Sequence, residues 1–276
     1  MISRNNSDPI GVLDSGLGGL SILRAVRKRL PGESFIYVAD SLNSPYGSHN
    51  QEFIIKRTLE ISNWLVQKHA KALLIACNTA TTQSISIIRQ QIKIPIIGVE
   101  PGIKPAVQRS SSGIIGIIAT KSTLNSVRFI DLIKSYNSSK YRFICNDGHG
   151  LVEEVEAGNT YSDTLRILLD KYLIPIVDAG ADVLVLGCTH YLFLTPIIHD
   201  VIGKEILLID ISNAVANQLV FILNKNNLCS TKSHGSILFY STSNRCYLQA
   251  IASGLLHPDT KVIKPIIISS QHLHVY

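Results

Sequence analysis

The chain has 276 residues, 46% of them hydrophobic, with a formal net charge of +6 at pH 7, enough to bury the core of one large domain or two ordinary ones. Its apolar runs, such as Leu73 to Ala76 and Val183 to Gly187, fall short of the roughly 18 residues a membrane helix needs, so no span is expected. Lys and Arg are scattered except for Arg24, Arg27, Lys28 and Arg29, which fall in a helical pattern and read as a solvated face, so no nucleic-acid partner is expected.

Short β-branched and aliphatic runs alternate with longer segments of helical spacing. Ile10 to Leu13, Phe35 to Ala39, Leu73 to Ala76 and Ile96 to Val99 read as strands. The first helix sets Leu20, Leu23, Val26 and Leu30 on one face and stops at Pro31-Gly32. The second runs from about Gln51 to His69 with Ile55, Leu59 and Leu65, and the third carries Ile85, Ile88 and Ile92 and stops before Pro95. The same strand order recurs at Ile114 to Ile118, Tyr141 to Ile144, Val183 to Leu186 and Ile206 to Ile209, an α/β pattern with mostly parallel sheets.

Ala70-Lys-Ala-Leu-Leu-Ile-Ala-Cys77 matches Ala181-Asp-Val-Leu-Val-Leu-Gly-Cys188 at an offset of 111 residues, and the same offset carries Ile96-Ile97 onto Leu207-Leu208. Matched strands that end in matched cysteines predict a duplication into two pseudo-symmetric α/β lobes. The expected boundaries are 1–100 plus 211–276 for the first lobe and 101–210 for the second. Ser236 to Tyr240, the helix-like stretch after Arg245 and Lys261 to Ile263 have no counterpart in the repeat and are expected to pack on the first lobe.

Ligands of open parallel sheets sit beyond the C-terminal strand ends, where both Cys77 and Cys188 fall. Five cysteines without a CxxC pair argue against a disulfide framework or a structural zinc site, and Cys145, Cys229 and Cys246 read as small buried hydrophobes. The turn Asp14-Ser15-Gly16-Leu17-Gly18-Gly19 could bring backbone N–H groups to an anion, or Asp14 and Ser15 could simply cap the helix. It lacks both phosphate-loop and dinucleotide spacing. Cys77-Asn78-Thr79 and Cys188-Thr189-His190 offer acid–base groups, and helix starts after each cysteine are expected to lower its pKa.

Either cysteine alone could be core, His190 could be a core histidine or a zinc ligand, and a single nucleophile would leave the second thiol unexplained. Moving an α-proton of an amino acid from one face to the other needs two groups, and two facing thiols supply them. No lysine stands at a strand end among these polar loops to hold pyridoxal phosphate, so neither metal nor organic cofactor is expected.

Asp14-Ser-Gly-Leu-Gly-Gly-Leu-Ser21, Asp40 followed by Pro45-Tyr46-Gly47, Ala76-Cys-Asn-Thr-Ala80 and Gly187-Cys-Thr-His190 together resemble the glutamate racemases over nearly the whole chain. The resemblance implies two lobes with the site between them, and interconversion of L- and D-glutamate without a cofactor, supplying D-glutamate for the peptidoglycan of the cell wall. It implies that Cys188 takes the proton of L-glutamate while Cys77 donates the one that gives D-glutamate, with the roles exchanged in reverse. Asp14 and His190 would support the thiols and the substrate ammonium. Ser15, Asn78, Thr79 and Thr189 would bind the carboxylates, and Pro45, Tyr46, Gly47, Thr120 and Thr123 would complete the pocket.

The family pattern also includes an acidic residue, for which Glu153 is preferred over Glu156. The stretch Ser41 to Ser44 lacks a basic residue often found there, and Cys145 to Gly150 is atypical. The N-terminus shows no export signal, so a cytoplasmic protein is expected, and the resemblance leaves room for a homodimer. Two rival readings stay open: an aspartate or hydantoin racemase of the same superfamily, and a non-catalytic regulatory protein that binds a partner through Arg24 to Arg29.

Overall fold

The computed structural model describes residues 5–136, 140–243, 251–254 and 262–265. Cys246, Lys261 and the closing residues 266–276 lie outside the described residues. The first half runs β1 (Ile10–Asp14), α1 (Gly19–Arg29), β2 (Phe35–Ala39), α2 (Gln51–Gln67), β3 (Ala72–Ile75), α3 (Asn78–Gln91) and β4 (Ile96–Gly98). The second runs α4 (Ile103–Arg109), β5 (Ile114–Ala119), α5 (Lys121–Leu124), α6 (Val127–Ser135), β6 (Arg142–Asp147), α7 (Leu151–Ala157), α8 (Asp163–Asp178), β7 (Val183–Gly187), α9 (Thr195–Ile202) and β8 (Leu207–Ile209). Then come α10 (Ser212–Lys225), β9 (Ile237–Ser241) and β10 (Val262–Pro265).

The strands form two parallel sheets, one ordered β10-β9-β2-β1-β3-β4 and the other β6-β5-β7-β8. Within them the orders β2-β1-β3-β4 and β6-β5-β7-β8 are the same arrangement used twice, which is the duplication that the two cysteine-ending strands predict. Of the portion without a counterpart in the repeat, β9 pairs with β2 and extends the first sheet. Helix α10 also packs against α1.

The runs Ile10–Asp14, Phe35–Ala39 and Ala72–Ile75 are buried at every position, as parallel strands covered on both faces require. Alternate residues divide between two cores. Val12, Leu74 and Tyr37 join a core that continues through Ile103, Ala106 and Val107 of α4 into Ile115 and Val185 of the second sheet. Leu13, Leu73 and Ile75 pack instead on Ile54, Ile61 and Leu65 of α2 and on Ile85 and Ile88 of α3.

Two expectations need correction. The buried face of α2 is Ile54, Arg57, Thr58, Ile61 and Leu65, while Ile55 and Leu59 are only half-buried. Leu65 is buried as expected, Leu59 packs against the core, and Arg57 joins the buried face with its guanidinium on a carboxylate. Cys145 is exposed on the edge strand β6 and Cys229 is half-buried, so neither is a core residue.

The turn that enters β5 is held by Asp182 at the edge of β7. Its carboxylate accepts from Ser110 Oγ at 2.6 Å and from the Ser111 and Ser112 N–H groups at 2.6 and 2.8 Å. Slight burial works against the charge, but these donors prevail and bring its pKa from the ordinary 3.8 to about 2. Because the folded value is the lower one, the stabilisation is complete above 3.8 and disappears as pH falls toward 2. We therefore expect Asp182→Asn to lower Tm modestly at pH 7, since the site is solvent-screened, and the gap to close over that acid window in thermal melts.

Candidate active site

Cys188 directly follows β7 and Cys77 stands two positions past β3, both in extended backbone where the chain turns into a helix or helical turn. Cys77 caps α3 and Cys188 caps the 3-10 turn Thr189–Leu194. They are 5% and 6% exposed.

Around Cys77 the groups are polar but poor in positive charge. Its sulfur accepts from the Ala80 N–H at 3.4 Å and lies 3.8 Å from Ser15 Oγ. Burial, and then the nearby Asp14 carboxylate, push the thiol up to about 12, and the helix amide and Ser15 only partly offset them. The helix start therefore does not lower this pKa as expected: desolvation of a fully buried sulfur outweighs one amide.

Cys188 has a different neighbour. Its sulfur lies 3.8 Å from His190 Nδ1, and His190 Nε2 is 2.7 Å from Glu156 Oε1. Burial disfavours a charged ring, but the hydrogen bonds to Cys188 and Glu156 win and hold the imidazolium well above its usual range. The same Glu156 oxygen accepts the Leu17 N–H at 2.8 Å. A Cβ at Gly16 would collide with the Glu156 carboxylate, and one at Gly18 with the His190 ring. The glycine turn thus lets the second lobe's acid and imidazole approach the first lobe's backbone.

Asp14, at the end of β1, accepts from the Gly16 N–H at 2.9 Å through Oδ2. Burial raises its pKa against the pull of His190 and the backbone donors. Asp14 Oδ1, Asn78 Oδ1 and Thr189 Oγ1 are buried without a hydrogen-bond partner among the described residues. Buried polar atoms are normally paired, so three such atoms near two thiols mark a place for a polar ligand. The other amide atom of Asn78 is committed, Nδ2 donating to Val99 O at 3.1 Å. Thr79, Thr120 and Thr123 come together as three mutually hydrogen-bonded hydroxyls.

A cleft of about 610 Å³ is lined among others by Pro45, Gly47, Thr120, Val152, Glu153 and Lys171; neither thiol is among its lining residues, and Thr120 connects it to Thr79, two residues from Cys77. Glu153 is exposed on this cleft, whereas Glu156, one turn closer to the C-terminus of α7, is buried against His190. Tyr46 is buried, but its hydroxyl donates to Asp40 Oδ2 at 2.7 Å and so supports the loop behind Pro45 and Gly47. Asp40 also receives Arg57 through Nε at 2.7 Å and Nη2 at 2.8 Å, and these bonds hold its carboxyl below its usual value despite burial.

Arg57 and Tyr37, whose hydroxyl donates to Gly16 O at 2.8 Å, were not singled out from sequence. For Arg57 a signal existed: a charged residue between Ile54 and Ile61 on an apolar helix face needs a buried partner. Among the described residues no group of three or more His, Cys, Asp or Glu side chains is arranged to hold a metal ion.

Two thiols at equivalent strand ends of a duplicated α/β frame, one beside an imidazolium and one keeping its proton, define a proton-transferring isomerase. A sequence profile of the Asp/Glu/hydantoin racemase family matches residues 18–219. A glutamate racemase of Ralstonia nicotianae is 49% identical over 248 residues, covering 90% of this chain and 89% of that protein. The solved glutamate racemase isoform of Bacillus anthracis superposes with a TM-score of 0.86 at 27% identity, covering 96% of this chain and 99% of that one. The Francisella tularensis glutamate racemase, solved with D-glutamate, gives 0.83 at 28% identity and covers 98% and 100%. The chain belongs to the Asp/Glu/hydantoin racemase family.

Glu156 and Glu153 can be told apart by rate. Glu156→Gln should lower racemisation about a hundredfold, because it weakens the charge-assisted bond that orients His190, whereas Glu153→Gln should stay within about threefold. Steady-state kinetics on both variants check this, and equal losses would mean that the cleft carboxylate contributes as much as the buried one.

Proposed function

We propose that the chain interconverts L- and D-glutamate by two-base proton transfer, and so supplies D-glutamate for peptidoglycan. The observation that carries this reading is the unlike surroundings of the two buried thiols. His190, charged and hydrogen-bonded by Glu156, gives Cys188 the donor that a proton-abstracting sulfur requires. In the L-to-D direction Cys77, pushed up to about 12 by burial and then Asp14, holds the proton to be delivered; in reverse the substrate ammonium beside Asp14 offsets that carboxylate, so the same sulfur can act as the base.

In the L-to-D direction Cys188 removes the α-proton, the C–H electron pair passes to the α-carbon and its carboxylate, and Cys77 protonates the opposite face. Asp14 Oδ1, without a protein partner, suits the substrate ammonium, while the hydroxyls of Ser15, Thr79 and Thr189 suit the carboxylates. Both thiols come from one chain, so the site does not require a second copy. We assign the two lobes as 1–100 plus 211–276 and 101–210, and place the enzyme in the cytoplasm. No helix among the described residues is long and apolar enough to cross a membrane.

Incubation with L-glutamate in deuterated water should give α-deuterated product of both configurations, and absence of exchange would overturn the reading. Aspartate should be turned over with a kcat/KM lower by about tenfold or more, because a shorter acid leaves buried donors unpaired. Equal turnover would broaden the substrate to both acids. The thiol assignment predicts that Cys77→Ser and Cys188→Ser each lose racemisation by about a thousandfold in both directions, since each direction needs an acid and a base. With glutamate analogues bearing a β-leaving group, elimination needs only the abstracting sulfur. Cys188→Ser should then process the D-analogue and Cys77→Ser the L-analogue, and a shared preference would dismantle the opposed pair.

A further inference from the structure

The hydroxyls of Thr79, Thr120 and Thr123 form a closed triangle: Thr120 to Thr123 at 3.0 Å, Thr79 to Thr120 at 2.8 Å and Thr79 to Thr123 at 3.1 Å. Thr79 lies in the first turn of α3, beside Cys77, whereas Thr120 and Thr123 cap and form α5 after β5 of the other sheet. The triangle therefore ties the two sheets' helices together next to one thiol. Gln83, one turn further along α3, reinforces the tie by donating through Nε2 to Ser122 O at 2.7 Å.

The three residues are not equivalent. Thr120 lines the cleft, Thr79 and Thr123 do not, and of the three only Thr123 has no exposed surface at all. Thr120 donates to Thr123, so Thr123 has its own proton to give, and Thr79 Oγ1 is the acceptor at hand. Either hydroxyl of the Thr79–Thr120 pair could donate, and with Thr123 giving its proton to Thr79 the Thr79 proton is the one that closes the ring on Thr120, so all three hydroxyls are paired. If Thr79 turns that proton to an incoming carboxylate, one neutral bond is exchanged for a charge-assisted one, and the chain Thr120 to Thr123 to Thr79 stays intact and is polarised in the right sense.

We propose that Thr123 is a positioning residue: without touching substrate, it aims the Thr79 hydroxyl at a substrate carboxylate and holds the two lobes together at that point. The kinetic part rests on the glutamate reading. The tie between lobes does not. Thr79 binds substrate in that reading, whereas Thr123 acts only through it, so the loss belongs to binding rather than to the proton transfers.

The test compares Thr123→Val and Thr123→Ser. Thr123→Val should raise KM for glutamate about tenfold with kcat within about threefold, the loss expected for one net hydrogen bond. Thr123→Ser, which keeps the hydroxyl, should restore KM. In the substrate-free protein, amides of 121–126 should exchange with deuterated water faster in Thr123→Val than in the parent or in Thr123→Ser. Should the valine not fold, Thr123→Ala carries the same expectations without a second branched methyl.

An unchanged KM, a fall in kcat at constant KM, failure of serine to rescue, or unchanged amide exchange would overturn the proposal. If the parent protein does not act on glutamate, the glutamate reading falls while the amide-exchange comparison still decides whether Thr123 ties the lobes.

Discussion

Oxygen Oε1 of Glu156 accepts from the Leu17 N–H at 2.8 Å and meets His190 Nε2 at 2.7 Å, so one buried atom joins the glycine turn of the first lobe to the imidazole of the second. Much of the site follows from this contact. A carboxylate buried in that position needs compensating donors, and the turn supplies one because Gly16 has no Cβ to hold the second lobe away. Desolvation lowers the pKa of the buried His190, but hydrogen bonds to Cys188 and then to Glu156 raise it well above its usual range. A protonated His190 is what distinguishes Cys188 from its counterpart.

Duplication supplies symmetry of position, while catalysis on two faces of a substrate requires asymmetry of state. The parallel sheets place Cys77 and Cys188 at equivalent ends, each with extended backbone and a helical segment beginning just after it. The neighbours then differ: a carboxylate, Asp14, bears on Cys77, and a cation, His190, on Cys188. A base needs a sulfur that gives up its proton and an acid needs one that keeps it. The duplicated frame carries unlike neighbours in its two halves, Asp14 near Cys77 in the first lobe and His190 beside Cys188 in the second. Contact between the lobes adds to this, since Glu156, which meets His190, also accepts the Leu17 N–H of the other lobe.

The architecture was legible because it is written in local periodicity. Apolar runs ending in Ala-Cys and Gly-Cys reveal both the strands and their duplication, while the order of the strands within each sheet is seen only in the structure. What sequence resolved poorly were contacts between segments far apart in the chain. Glu153 and Glu156 are three residues apart on one short helix, and nothing local shows which of them meets an imidazole 34 residues further on. The burial of Arg57 on α2 has the same origin, because its partner is a carboxylate 17 residues away. The pKa of Cys77 was misjudged because a helix start is visible in sequence whereas complete desolvation is not.

The unrepeated C-terminal portion has a bearing on the site as well as on stability. Strand β9 extends the first sheet beside β2, and just past its end Thr242 Oγ1 donates to Asp40 Oδ1 at 2.9 Å. The Leu42 N–H donates to the same hydroxyl at 3.1 Å. Asp40 is thereby surrounded by donors from three parts of the chain: Arg57 on α2, Tyr46 in its own loop and Thr242 after β9. A carboxylate satisfied from several directions is held in one orientation, and the loop that follows it inherits that rigidity. That loop carries Pro45 and Gly47 to the cleft, where Gly47 lies so close to Thr120 that an added Cβ would strike its side chain. The last sheet strands thus act on the thiol site through a buried polar network, positioning a loop that neither duplicated half could fix alone.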